Sequence, residues 1–408
     1  MSITITVPDL PPGYELRGAT EAEIPAITVI NEGIFHQPRE FFVARYRNYP
    51  GAMAEHSRIV LYDGRPVSHI RLYQHPLSLC GATVNAWAIG DVCTLPEFRH
   101  KGLGSALLQD CARYTRAQGS PLLMVHAGRW GFYENFGWDA ILLPALKLDV
   151  NAFPLEALPD EGYLTRSFGE PGDLWQVAAV HSQYIRGRSL IRQRDLYYWN
   201  NQHIWDEVGT NLGFILVEKR GQVVAYARMW RDGDIVESAY LPDEERAALV
   251  SFQRLIRQAR LLKYPAVSGQ LPADHPIWRA TQDLPGVERT DDDQVMLRVL
   301  DLHGLFSAIL PALSDHLRAS RTPLSGPVSF RCLGDEATLM PRQGYLELGS
   351  PCADSRVVDL TQAELVAILA GTVAPSKALA GKGDASLLAE LDALFPASNA
   401  VYFVADFV

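Results

Sequence analysis

At 408 residues the chain is longer than one hydrophobic core usually organises, and about 150 residues per domain predicts two or three domains. Hydrophobic residues make up 48% and charged residues 21%, the mixture of a soluble globular protein that can bury a sizeable core. The net charge of −10 argues against a nucleic acid as partner and suits a small cationic ligand.

Five cysteines, odd in number and without a Cys-x-x-Cys pair, read as reduced thiols of a cytoplasmic protein and give neither a disulfide frame nor a zinc site. The opening MSITITVPDLPPGYELR lacks the basic-then-apolar pattern of a signal peptide. No run of 18 uncharged apolar residues predicts a membrane span.

In chain order, Thr20 and Glu23 form a capping box for a helix over about 20–34, with Ile24, Ile27 and Ile30 as its apolar stripe. RIVLYDGRPVSHIRLY carries two apolar runs around Asp63-Gly64, a hairpin signal. NAWAIGDVCTL reads as a central strand. A helix from Leu103 to Gln118 then sets Leu103, Ala106, Leu107, Cys111 and Tyr114 on one face and stops at Gly119. Strand PLLMVH and the aromatic run RWGFYENFGW follow. This order predicts an α/β (α+β) domain with a mixed central sheet over residues 1–150.

A repeat search adds a second copy. With Gly221 set on Gly64 in FILVEKRGQVVAYARMW, Val224 falls on Val67 and Arg228 on Arg71. LPDEERAALVSFQRLIRQAR lays over LPEFRHKGLGSALLQDCAR. Residues 151–290 are therefore expected to be a duplicated α/β domain. A third block, 291–408, starts with strand QVMLRVLDL and helix LFSAILPALSDHL, and adds strands GPVSFRCLGDEATLM and GYLELG. A capped helix, TQAELVAILAG, a short helix SLLAELDALF and an apolar terminus, AVYFVADFV, complete it.

The spacing that carries chemistry is Arg99-x-x-Gly102-x-Gly104 between a strand and a helix. Glycines there let backbone N–H groups approach a diphosphate, and the first helical turn adds free donors and the positive dipole end. A Rossmann fingerprint needs Gly or Ala where Leu107 stands, and a Walker loop needs Gly-Lys-Ser/Thr. A plain glycine turn before a helix fits the spacing too. In the second copy Glu245, Ala248 and Val250 replace Arg99, Gly102 and Gly104, so only one diphosphate site is expected. By its surroundings alone, Tyr133 among Trp130, Phe132, Phe136 and Trp138 reads more readily as core than as catalyst. Glu32, His36, Asp91 and His126 are all candidate bases, and no spacing selects among them.

The run IGDVCTLPEFRHKGLGSALL resembles the pyrophosphate-loop motif of the GNAT (Gcn5-related) N-acetyltransferases, Arg/Gln-x-x-Gly-x-Gly/Ala. The resemblance implies acetyl-coenzyme A as donor and no metal. Backbone groups of Val92, Cys93 and Thr94 would hold its pantetheine arm and polarise the thioester carbonyl. Arg99, His100, Lys101, Gly102, Leu103, Gly104 and Ser105 would hold the diphosphate. It also implies Tyr133 as the general acid that quenches the departing thiolate.

The whole layout resembles the enhanced intracellular survival (Eis) acetyltransferases: an active GNAT domain, a degenerate second one and a sterol-carrier-like α/β domain that delivers the C-terminus to the active site. That likeness implies the α-carboxylate of Val408 as base, although the family's terminus is commonly aromatic. It also implies a primary amine of an aminoglycoside- or polyamine-like cation as acceptor, and a homo-oligomer such as a hexamer. Two readings from other classes compete, a non-catalytic lipid or sterol carrier and a coenzyme A-sensing interaction protein.

Overall fold

A computed structural model describes residues 3–128, 130–169, 172–201, 213–230, 232–320 and 322–407. The chain divides into two compact units: residues 1–141 with 293–398 and 408, and residues 142–292 with 399–407.

The first unit is built on a seven-stranded sheet. Its labelled strands are β1 (Tyr14–Gly18), β2 (Ser57–Tyr62), β3 (Arg65–Gln74), β4 (Ala86–Thr94), β5 (Leu122–His126) and β6 (Asp139–Ala140). They run in the order β1-β2-β3-β4-β5, then the strand Val295–Val299, then β6. The helices are α1 (Ile24–Phe35), α2 (Arg39–Asn48), α3 (Leu103–Ala117) and the short α4 (Trp130–Glu134). The Thr20–Glu23 capping box is present, but it opens a 3-10 turn at Glu21–Glu23 that leads into α1. The β2–β3 hairpin closes on Asp63 and Gly64, at φ of 48° and 76°, the left-handed pair that a two-residue turn matching strand twist demands. Leu103, Leu107 and Cys111 of α3 pack with Val60, Ile70, Trp87 and Val125 of the sheet in one core.

One strand departs from the expected organisation. QVMLRVLDL was assigned to the third block, yet Val295–Val299 pairs antiparallel with β5 and with β6 inside the first sheet. Every residue of this strand is buried, and a strand apolar on both faces needs cover on both sides. Conversely, Leu143–Asp149 pairs with Ala266–Gln270 and Val287–Asp292 in the second unit. Leu143–Asp149 thus lies in the second unit although it precedes residue 150, and position 290 falls inside the strand Val287–Asp292. The rest of the first unit holds a four-stranded sheet, in the order Tyr345–Gly349, Asp335–Arg342, Val328–Cys332 and Arg356–Asp359, with the long helix Leu302–Ala319 and the helices Gln362–Ala370 and Ala385–Leu394.

In the second unit, Gly213–Lys219 and Gln222–Met229 form a hairpin whose turn repeats the first, with Arg220 and Gly221 at φ of 54° and 78°. Helix Glu245–Leu261 lies against it. Asp406 is buried here: Arg194 donates to both its oxygens at 2.8 and 2.9 Å, and the Tyr198 hydroxyl adds a third bond at 2.8 Å. Arg194 also donates to Glu237 at 2.9 and 3.1 Å. The residues ahead of Val408 are therefore packed, as their apolar character suggests.

Desolvation lowers the pKa of four of the buried histidines: His56 and His69 to about 4, His181 and His275 to about 3. The unfolded chain binds these protons near pH 6.5, whereas the folded protein refuses them until the pH reaches the lowered values. Their stabilising effect is thus complete above pH 6.5 and lost as the pH falls through the folded values. The melting temperature should stay level above pH 7 and fall steadily from about pH 6.5 to 4; a level profile down to pH 4 would contradict this.

Candidate active site

The site forms where β4 loses a neighbour. Pairing of β4 with β5 runs from Ala86↔Leu122 to Ile89↔Val125 and ends there. On its other side β4 stays paired with β3 through Ser68↔Thr94 and His69↔Cys93. The register slips between these pairs and Arg71↔Gly90, and Asp91 sits at the slip with φ of 52°, the mark of a bulge. The Cys93 carbonyl accepts from Ser68 Oγ and the Leu95 amide donates to the Val67 carbonyl, so these groups face β3. By strand alternation, the backbone groups of Val92 and Thr94 face the open side, toward the gap. The Cys93 thiol turns away from that gap and meets Asn31 Oδ1 at 3.3 Å; burial and Asp91 push its pKa up.

At the end of β4 the chain turns into α3 through a loop with two left-handed residues, His100 at φ 62° and Gly102 at φ 78°. The first backbone bond of α3 runs from the Ala106 amide to the Gly102 carbonyl, and among the described residues the amides of 100–105 meet no backbone acceptor. A Cβ on Gly102 would touch nothing within 4 Å, and one on Gly104 would meet only Phe132 Cζ at 3.7 Å. This is an open concave row of N–H donors at a positive helix end, the form that binds a diphosphate. Arg99 is exposed and its Nε donates to the Thr94 carbonyl at 3.1 Å, which ties the loop to β4. Lys101 leans the other way, its Nζ 3.2 Å from the Tyr14 hydroxyl and 4.9 Å from the Phe98 ring centre. Leu103 is buried in the core beneath the loop, while Gly104 and Ser105 stay partly open.

Tyr133 lies on α4. It is 8% exposed and packs with Phe132 and Trp138 at ring-centre distances of 5.3 and 5.9 Å. Because Phe132 borders Gly104 and Tyr133 shares a core cluster with Leu103, α4 stands close to the loop. Burial raises the Tyr133 pKa to about 12, so its hydroxyl keeps its proton at any working pH. No residue described here accepts that proton in the resting fold. Val408 lies outside the described residues.

Behind β4 a polar cluster appears that spacing alone does not reveal. Asp91 accepts from Tyr73 at 2.8 Å and pairs with Arg45 at 3.4 Å, both partners nearly shut off from solvent. His69 Nδ1 lies 3.4 Å from Asn31 Oδ1, while its Nε2 is buried with no partner among the described residues. Gly90-Asp91 within an apolar strand is the signal that points to this bulge.

The second copy has no such cradle. On the internal alignment Arg99 to Gly102 fall on Glu245 to Ala248, and those residues are already helical. The helix starts four positions earlier, so no loop remains, and Ala248 and Val250 are fully buried. Beyond the loss of the glycines and the arginine, the fold replaces the loop itself with helix.

Residues 15–141 match the family model for an acetyltransferase (GNAT) domain. No curated protein matches the chain. Among solved structures, a GCN5-related N-acetyltransferase from Anabaena variabilis ATCC 29413 is 15% identical, covers 97% of this chain and 100% of its own, and superposes with a TM-score of 0.68. One from Kribbella flavida is 18% identical over 97% of this chain and 98% of its own, at 0.65. Eis1 from Mycobacterium abscessus is 15% identical over 97% and 100%, also at 0.65. At such identities the likeness is one of fold. Among the described residues no group of His, Cys, Asp and Glu is arranged to hold a metal ion, and no helix is long and apolar enough to cross a membrane. Residues 15–141 are therefore similar to a GNAT acetyltransferase domain, within a fold that nearly the whole chain shares with solved GCN5-related N-acetyltransferases.

Proposed function

We propose that the protein transfers acetyl from acetyl-coenzyme A to a primary amine of a small cationic substrate, aminoglycoside- or polyamine-like, by direct attack. The observation that carries this reading is the open amide row at the head of α3 beside the unpaired edge of β4. Residues 99–105 hold the diphosphate and Val92 to Thr94 hold the pantetheine arm, leaving the reactive thioester at the gap. The amine nitrogen bonds to the acetyl carbon, the carbon–sulfur bond breaks, and Tyr133 gives its proton to the thiolate.

The α-carboxylate of Val408 takes the proton that the amine loses. A terminal carboxylate, with a pKa of about 3.5, is a weak base but accepts a proton from the cationic amine through water. In this reading 1–150 is the active domain, 151–290 a degenerate copy, and 291–408 the sterol-carrier-like part, in a cytoplasmic homo-oligomer such as a hexamer.

The test is thiol release from acetyl-coenzyme A with a panel of polyamines and aminoglycosides. At least one amine should accelerate release well above hydrolysis, and removing Val408 should lower kcat for it by at least tenfold. Release that no amine stimulates would overturn the acceptor class. An unchanged kcat on truncation would overturn only the base.

A further inference from the structure

Arg298 stands in the strand Val295–Val299 with its guanidinium among uncharged groups. It is 7% exposed. Its Nη2 donates to Gln109 Oε1 at 2.9 Å and its guanidinium carbon lies 5.0 Å from the Trp138 ring centre. Nη1 is buried and has no partner among the described residues. No carboxylate among those residues pairs with it, and burial alone pulls its pKa down to about 10. Three other deeply buried arginines face a carboxylate: Arg45 faces Asp91, and Arg194 and Arg228 face Glu237. A buried, unpaired charge is costly, and proteins that keep one usually supply an opposite charge.

Here the place for that charge is open. Arg298 lines a cavity of about 560 Å³ together with Thr4, Gln109, Asn135, Gly137 and Gly334. The volume exceeds what a single water needs, and the polar neighbours, a hydroxyl and two amides, can donate hydrogen bonds but bring no negative charge. A guanidinium fork matches a carboxylate or a phosphate in two parallel bonds. We propose that this cavity binds a small molecule through a carboxylate or phosphate group, with Arg298 as the counter-charge and Gln109 and Asn135 as neutral donors. Gln109 belongs to α3 and Asn135 directly follows α4, so an occupant touches both helices that carry the cofactor loop and Tyr133. The site itself needs no acetyl transfer; only the use of acetyl-coenzyme A as a blocking ligand rests on the proposed function, and the Arg298 variants separate a response here from one at the α3 loop.

The experiment is thermal unfolding of the full chain with saturating acetyl-coenzyme A, which keeps probe anions off the α3 loop. Inorganic phosphate and malonate are titrated separately, with chloride holding ionic strength constant. The melting temperature should climb and saturate with at least one probe. A response to phosphate alone assigns a phosphate group, and a response to malonate alone assigns a carboxylate. Arg298→Met should abolish the response, and in anion-free buffer it should melt no lower than the parent, because an unpaired buried charge has been removed. If the Met variant does not fold, Arg298→Lys keeps the charge without the fork and should shift the titration midpoint at least tenfold. No saturable response in the parent overturns the proposal. So does a Met variant that melts several degrees lower and responds to phosphate and malonate as the parent does, since Arg298 is then a structural residue.

Discussion

Replacing Tyr133 by Phe should lower kcat by about 10²–10⁴-fold, the usual contribution of a positioned general acid, while leaving the KM for acetyl-coenzyme A within a few-fold. The split follows from the geometry. The ring packs against Phe132 and Trp138 and helps shape the wall beside the loop, whereas the hydroxyl meets no partner among the described residues. Phe keeps the ring and removes only the proton. Stability should hardly change, because no hydrogen bond is lost. The pH profile supplies an independent readout. With its pKa raised to about 12, Tyr133 remains protonated below pH 11, so the parent should show no loss of kcat from this group on the alkaline side. Equal kcat in both proteins would remove Tyr133 from the chemistry. An equal fall in thermal stability and activity would make it a core residue.

What could be read from the residues was what is decided locally. Asp63-Gly64 and its copy at Arg220-Gly221 each fix a two-residue hairpin, because both turn residues must be left-handed and the choice involves no distant partner. The Arg99–Gly104 loop was legible for the same reason: strand, glycines and helix start lie within twenty residues. Long-range pairing was not legible. The strand Val295–Val299 shows by its apolar run that it is buried, but nothing in its five residues says that β5, about 170 residues earlier, is its neighbour. Glu245 to Ala248 look like a degraded loop by alignment, yet Ala248 in place of Gly102 favours helix, and the backbone follows that propensity. The polar cluster at Asp91 and the unpaired Arg298 escaped for a third reason. Burial of a charge is a property of the assembled core and has no periodicity of its own.

Gly104→Val separates the cradle from the fold and should weaken acetyl-coenzyme A binding by about 100-fold, near 2.7 kcal/mol, with little cost in stability. Of the two loop glycines it is the informative one. Gly102 sits at φ 78°, where any side chain is strained, so a substitution there costs stability whatever the ligand does. Gly104 has no such constraint and lies in the first turn of α3, where Val is not inferior to Gly as a helix former. Its added Cβ would meet only Phe132, at ordinary contact distance, so the resting fold accepts it. The space it fills is the one that a diphosphate must enter to reach the free amides of residues 100–105. The chain already holds the converse case, since Val250 occupies the aligned position in the second copy and is wholly buried. Because the loop there has become helix, Val250→Gly should create no second site, and one coenzyme should bind per chain in both the parent and that variant. Calorimetric titration with acetyl-coenzyme A, beside thermal melts, reads both quantities. An unchanged Kd in Gly104→Val would place the diphosphate elsewhere, and a stoichiometry of two in the parent would restore the second copy as a site.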